Sequence, residues 1–115
     1  MIKSLLEGYD INKTLASKSE PYQVTLDSDY VILYSLGIGF QKDPLNEAHN
    51  RYSYENADNF GPFPTIPVVL AHRGKTSEGD FSIDGVPEFN PNMVLHGEEK
   101  VIIEAPMEAD QKYDC

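Results

Sequence analysis

The sequence predicts an α+β domain whose sheet its own strands do not complete. Three observations carry that reading: an alternating segment at 22–26, two short apolar helical segments near 30–38 and 66–73, and a long alternating segment at 93–105. A period of two residues marks a half-buried strand, and a period near 3.6 marks a helix face. A two-stranded sheet is marginal on its own, and a long strand with bare edges exposes a row of unpaired N–H and C=O groups. The missing strands are expected from a continuation of the chain, a second fragment or a partner.

Residues 1–20 are mixed and polar and read as an N-terminal arm with at most a short turn of helix. After Pro21, Tyr22-Gln23-Val24-Thr25-Leu26 alternates as a strand. Asp27 or Ser28 then offers a helix cap, because its side-chain oxygen can accept an orphan N–H of the first turn. Tyr30, Val31, Leu33, Tyr34 and Ile38 follow at helical spacing, and Gly37 and Gly39 supply the stop. That helix is apolar almost all round, so cover on more than one side is expected. From Gln41 to Gly61 the chain is polar and without period, long for an internal loop and therefore a candidate functional segment. The run from Pro62 to Gly74 predicts a second short helix. Thr65 would cap it, Pro67 would lie in its first turn, His72 and Arg73 in its last, and Gly74 would end it. Lys75 to Pro91 reads as a turn-rich connection. Met93 to Pro106 is the best strand by pattern, with Gly97 as a bulge or a point of close approach. Tyr113-Asp114-Cys115 reads as the opening of a further strand.

Composition narrows the function. The 115 residues hold nine Lys and Arg against nineteen Asp and Glu, a net charge of −10. Nucleic acid and anionic membrane surfaces both call for a positive face, so neither is an expected partner. No run approaches the roughly 18 apolar residues of a membrane-spanning helix. Cys115 has no second cysteine to pair with, which favours a reducing, intracellular compartment.

No strong general motif is present. His49, His72 and His96 lie about 23 residues apart and match no local metal-ligand pair, so no metal is expected. Asp43-Pro44-Leu45-Asn46 with His49 invites an acid/base reading for activating water. The alternative is that Asp-Pro starts a turn while Asn46 and His49 decorate a solvated loop. His96-Gly97 has two readings of its own, a polar edge meeting a ligand or a strand histidine bonded beside a bulge. Tyr52, Tyr54, Phe60 and Phe63 line either a tunnel or a core.

Five segments then occur in a fixed order: Tyr34-Ser35-Leu36-Gly37-Ile38-Gly39, Asp43-Pro44, Tyr54-Glu55, Phe63-Pro64-Thr65 and Leu95-His96-Gly97-Glu98. Together they resemble the N-terminal half of the 2-enoyl-CoA hydratase 2 family, the MaoC-like dehydratase unit of peroxisomal multifunctional enzymes. The resemblance spans residues 20–110. It implies a hot-dog fold, a curved antiparallel sheet around a central helix, here the incomplete first repeat of a double hot-dog. Pro64 to Gly74 would be the central helix, Met93 to Pro106 a wrapping strand, and 21–115 a repeat that stops before its last strands.

The activity so implied is reversible hydration of a trans-2-enoyl-CoA to the (3R)-3-hydroxyacyl-CoA in fatty-acid β-oxidation, by a hydro-lyase needing no cofactor beyond the coenzyme A of its substrate. The family's catalytic pattern, Asp-x-Asn-Pro-x-His, belongs to the second repeat. The corresponding place here, Gly39 to Pro44, lacks it. No catalytic residue is therefore expected in this chain, which alone would be inactive. His96 and Gly97 match the family's substrate-binding pair, and Tyr52, Tyr54 and Phe60 would line the acyl tail. The implied partners are the acyl-CoA, a second and catalytic repeat, and a second copy in a homodimer. The implied location is the peroxisome. Two other readings remain: a non-catalytic acyl or acyl-CoA binding module acting as an oligomer, and a structural hot-dog domain without a ligand.

Overall fold

The computed structural model describes residues 7–18, 20–73 and 83–115. The chain divides into two units, Met1–Glu20 with Ser77–Glu99, and Pro21–Thr76 with Lys100–Cys115.

The first unit contains helix α1 (Ile11–Ala16), with no buried residue. Asp10 caps it, accepting the Lys13 N–H at 3.1 Å. Gly85 (φ +80°) lies against this end, and its carbonyl accepts the Asp10 N–H at 2.8 Å. A Cβ there would stand 2.4 Å from the Asp10 carbonyl oxygen, so only glycine fits.

The second unit is built on strands β1 (Gln23–Leu26) and β2 (Gln111–Asp114), paired antiparallel with Val24 opposite Tyr113. Alternation in β1 does what the pattern predicts: Val24 and Leu26 are buried, Gln23 and Thr25 exposed. Tyr22 and Cys115 extend the ladder with two more backbone bonds, at 3.0 and 2.9 Å. The strand expected to open at Tyr113 is thus the partner of the first strand.

Helix α2 (Ser28–Gly37) starts on Asp27, whose carboxylate accepts the Tyr30 N–H at 2.8 Å. A second carboxylate reaches the same end. Asp110 (φ +59°) accepts the Ser28 N–H at 2.9 Å and the Ser28 hydroxyl at 2.7 Å. The hydroxyl bond first and the N–H bond second hold the Asp110 carboxyl below the usual carboxylate range, with slight burial opposing them. Val31 and Ser35, four apart, point inward. Leu33 and Leu36 remain 66% and 48% exposed, so the described residues do not cover the helix on more than one side. The helix stops as expected, with Gly39 at φ +106°.

Helix α3 (Asn50–Ser53) is a single turn inside the long loop, entered through a 3₁₀ turn at Glu47–His49. Helix α4 (Pro67–Arg73) begins on Pro67, where the missing N–H costs nothing. Thr65 is not its cap: its hydroxyl bonds the Tyr34 hydroxyl at 2.8 Å, which ties the turn to α2 instead. At the other end the Arg73 guanidinium pairs with Asp27 at 3.2 Å and lies 4.2 Å over the Tyr30 ring. Gly74, the expected stop, lies outside the described residues. Val24, Leu26, Val31, Ile66 and Leu70 form the core, flanked by Tyr34, Phe60, Met107 and Tyr113. Each such side chain, fully buried, contributes on the order of 1.5–3 kcal/mol.

The strand expected at Met93 to Pro106 is not formed. A 3₁₀ turn occupies Pro91–Met93, and 94–106 join no ladder. Alternation marks which residues would face a core, but a strand exists only where a neighbour takes its N–H and C=O groups. Among the described residues none does, and Leu95 is 88% exposed.

Candidate functional site

The long loop at 40–63 builds the wall of a cleft. Gly61 returns its N–H to the Arg51 carbonyl at 3.0 Å, closing the segment between them. Turns at Ala57 and Phe60, each held by an N–H bond of 3.0 Å, shape what lies inside. The loop thus delivers Tyr52, Phe60 and Phe63 to one side of a cleft of about 450 Å³, with Ile66 at its base and Ile103 to Met107 opposite. That volume lies in the range of small-molecule sites, and the lining is mostly aromatic, proline and aliphatic.

Behind the lining, rings pack against rings. Phe40 stands 4.9 Å from Tyr52 and 5.3 Å from Phe63, and Tyr52 meets Phe63 edge to face at 5.3 Å. Such tilted and edge contacts are the favoured aromatic geometries. Arg51 lies 5.3 Å over the Tyr52 ring and is the cation of the lining; Glu104 is its acid.

The acid/base cluster resolves into structural bonds. The Asp43 carboxylate accepts the Leu45 N–H at 3.0 Å, so the Asp-Pro reading as a turn is right. The Asn46 side chain accepts the Ala48 N–H at 3.2 Å. His49 is half-buried and not a solvated decoration. Its Nδ1 accepts the Gln41 N–H at 3.0 Å, and its Nε2 faces the Asn46 amide at 3.1 Å.

Of the residues singled out in the sequence, Tyr52 and Phe60 line the cleft together. Tyr54 is 48% exposed and is not in the lining. His96 and Gly97 belong to the other unit. There His96 pairs with Glu99 at 3.4 Å, its side chain 67% exposed, and the Cβ position of Gly97 meets nothing within 4 Å. Missed in the sequence were Gln41, at φ +60°, and Phe40. A phenylalanine directly after Gly39 was the available signal for Phe40; Gln41 had none. Among the described residues no three His, Cys, Asp or Glu converge to hold a metal, and no helix is long and apolar enough to cross a membrane.

Comparison with solved structures gives the class. The fold aligns with a MaoC-like dehydratase from Phytophthora capsici at a TM-score of 0.71 and 28% identity, over 91% of this chain and 36% of that one. The architecture is therefore α+β of the hot-dog, MaoC-like type, present in part. Residues 24–114 match the family described as the MFE-2 hydratase 2 N-terminal domain, and the chain belongs to that family. Similar proteins include a probable enoyl-CoA hydratase 2 of Dictyostelium discoideum, 34% identical over 86% of this chain. Enoyl-CoA hydratase ChsH3 of Mycobacterium tuberculosis is 30% identical over 85%, and a peroxisomal hydratase-dehydrogenase-epimerase of Neurospora crassa is 32% identical over 77%. The chain spans 32%, 33% and 9% of the Dictyostelium, Mycobacterium and Neurospora proteins respectively.

Proposed function

We propose that this chain is the acyl-binding, non-catalytic repeat of a 2-enoyl-CoA hydratase 2. The complete protein would add water across a trans-2-enoyl-CoA, its oxygen bonding C3 and a proton reaching C2, to give the (3R)-3-hydroxyacyl-CoA. The observation that carries the reading is the aromatic cleft of about 450 Å³, in a chain that belongs to this family. An apolar tail leaving water gains about 25 cal/mol per Å² of buried surface, and Tyr52, Phe60 and Phe63 offer that surface.

Proton transfer falls to a second repeat. In favour of this, the one histidine of the loop beside the cleft accepts the Gln41 N–H on Nδ1 and lies outside the lining. His96 and Gly97 would touch the bound acyl-CoA, as an exposed ring and an unobstructed glycine allow. The negative charge of the chain means that cations offsetting the coenzyme A phosphates come chiefly from elsewhere in the protein. No separate cofactor enters this reaction. Homodimeric assembly, a role in fatty-acid β-oxidation and a peroxisomal location are part of the same proposal, the last supported by the name of the Neurospora relative.

The test is Tyr52→Ala with Phe60→Ala in the complete protein. The kcat/KM for a sixteen-carbon 2-enoyl-CoA is expected to fall on the order of tenfold more than that for the four-carbon one. Equal losses for both would refute the tail-holding role.

A further inference from the structure

We propose that Gln41 and His49 are positioning residues that set how long an acyl tail the cleft accepts; the inference rests on the tail-holding reading above. Neither residue lines the cleft. Their effect passes through Phe40, which also lies outside the lining yet touches two residues within it.

Gln41 sits at φ +60°, a left-handed conformation that a non-glycine residue keeps only where its surroundings over-determine it. Three bonds do so. Its N–H donates to His49 Nδ1 at 3.0 Å, and its side-chain Nε2 donates to Asn50 Oδ1 at 3.0 Å and to Ser53 Oγ at 2.8 Å. Ser53 Oγ in turn donates to the His49 carbonyl at 2.8 Å, closing a circuit between the end of α2 and the turn of α3. The members of this circuit are half-buried, where such bonds are stronger than in open water.

Phe40 is the next residue to Gln41, so the backbone angle at 41 and the ring at 40 are set together. The His49 ring supports Phe40 edge-on at 4.9 Å and 86°. Phe40 backs both Tyr52 and Phe63, which face the cleft. Opening the circuit frees the second layer of rings, and the first layer then moves into the space a long tail needs. A short tail does not reach that wall. The expected signature is therefore a change in chain-length preference, carried by KM for long substrates.

The experiment uses the complete protein and the four- and sixteen-carbon trans-2-enoyl-CoAs. His49→Ala removes the Nδ1 acceptor and the ring. His49→Asn restores an acceptor at the Nδ1 position, and Gln41→Gly removes the amide while keeping the left-handed backbone free of strain. His49→Ala is expected to lower the sixteen-to-four-carbon ratio of kcat/KM on the order of tenfold, and Gln41→Gly about threefold, with His49→Asn recovering part of the loss. If His49→Ala fails to fold, Gln41→Gly and His49→Asn carry the test. An unchanged ratio in the Gln41 and His49 variants, with a shifted ratio in Tyr52→Ala and Phe60→Ala, overturns the positioning role and leaves the tail-holding reading intact. An unchanged ratio in all of them overturns both. A His49→Asn ratio no better than that of His49→Ala rules out the Nδ1 bond as the means.

Discussion

The loop at 40–63 and the segment at 93–106 reverse what their compositions promise. The first is polar and aperiodic, yet its Asn, Gln, Ser and His side chains bond one another and its aromatic rings stack into a wall. The second has apolar residues in strand alternation, yet it joins no ladder among the described residues and leaves Met93, Leu95 and Ile102 exposed. A loop whose polar groups find each other is determined by its own residues. A strand is determined only together with its neighbour, and an apolar alternation without one stays exposed.

That contrast breaks most readily at the core. Leu26→Ala is expected to cost about 3 kcal/mol, whereas Leu95→Ala costs less than about 0.5 kcal/mol. Denaturant unfolding followed by tyrosine fluorescence reads both, since the chain has no tryptophan. A large loss from Leu95→Ala would mean that 93–106 is packed after all. Next in size is the loop. Gln41→Ala keeps the left-handed strain and loses the side-chain bonds, for about 1–2 kcal/mol, and Gln41→Gly costs less because the strain disappears. The same melts should rank the two variants in that order.

Asp27→Ala removes the cap of α2 and is expected to cost about 1 kcal/mol in thermal unfolding. The Arg73 pair adds little to this, being about two-fifths exposed on both sides. The smallest effect is a pH dependence. The Asp110 carboxyl titrates below its ordinary value because of the Ser28 bonds. Its contribution is present above the unfolded carboxylate pKa and is lost as pH falls through the lower, folded value. Asp110→Asn should therefore flatten the acid limb of the stability profile without altering it near neutrality by more than the lost bonds.

Much of the second unit was legible in the sequence. Val24 and Leu26 alternate as a strand must, Asp27 stands where a cap is needed, and Pro67 marks a helix start. These are local rules, each satisfied by residues close in sequence. The site was half legible: Tyr52 and Phe60 do line one cleft, but Tyr54 does not. Gln41 stayed hidden, and with it the bond His49 makes, because a bond from a backbone N–H to a ring eight residues on follows no period. Thr65 misled for a related reason, since a hydroxyl that fits a cap also fits the phenol across the core.

The central claim is that these residues hold the tail of a substrate whose chemistry happens on another repeat. A structure of the complete protein with a bound sixteen-carbon enoyl-CoA analogue tests it most directly. Tail carbons are expected within about 4.5 Å of Tyr52 and Phe60, the ordinary contact distance of apolar groups. A tail lying along any other surface, with the cleft beside Tyr52 empty or filled by protein, would contradict it.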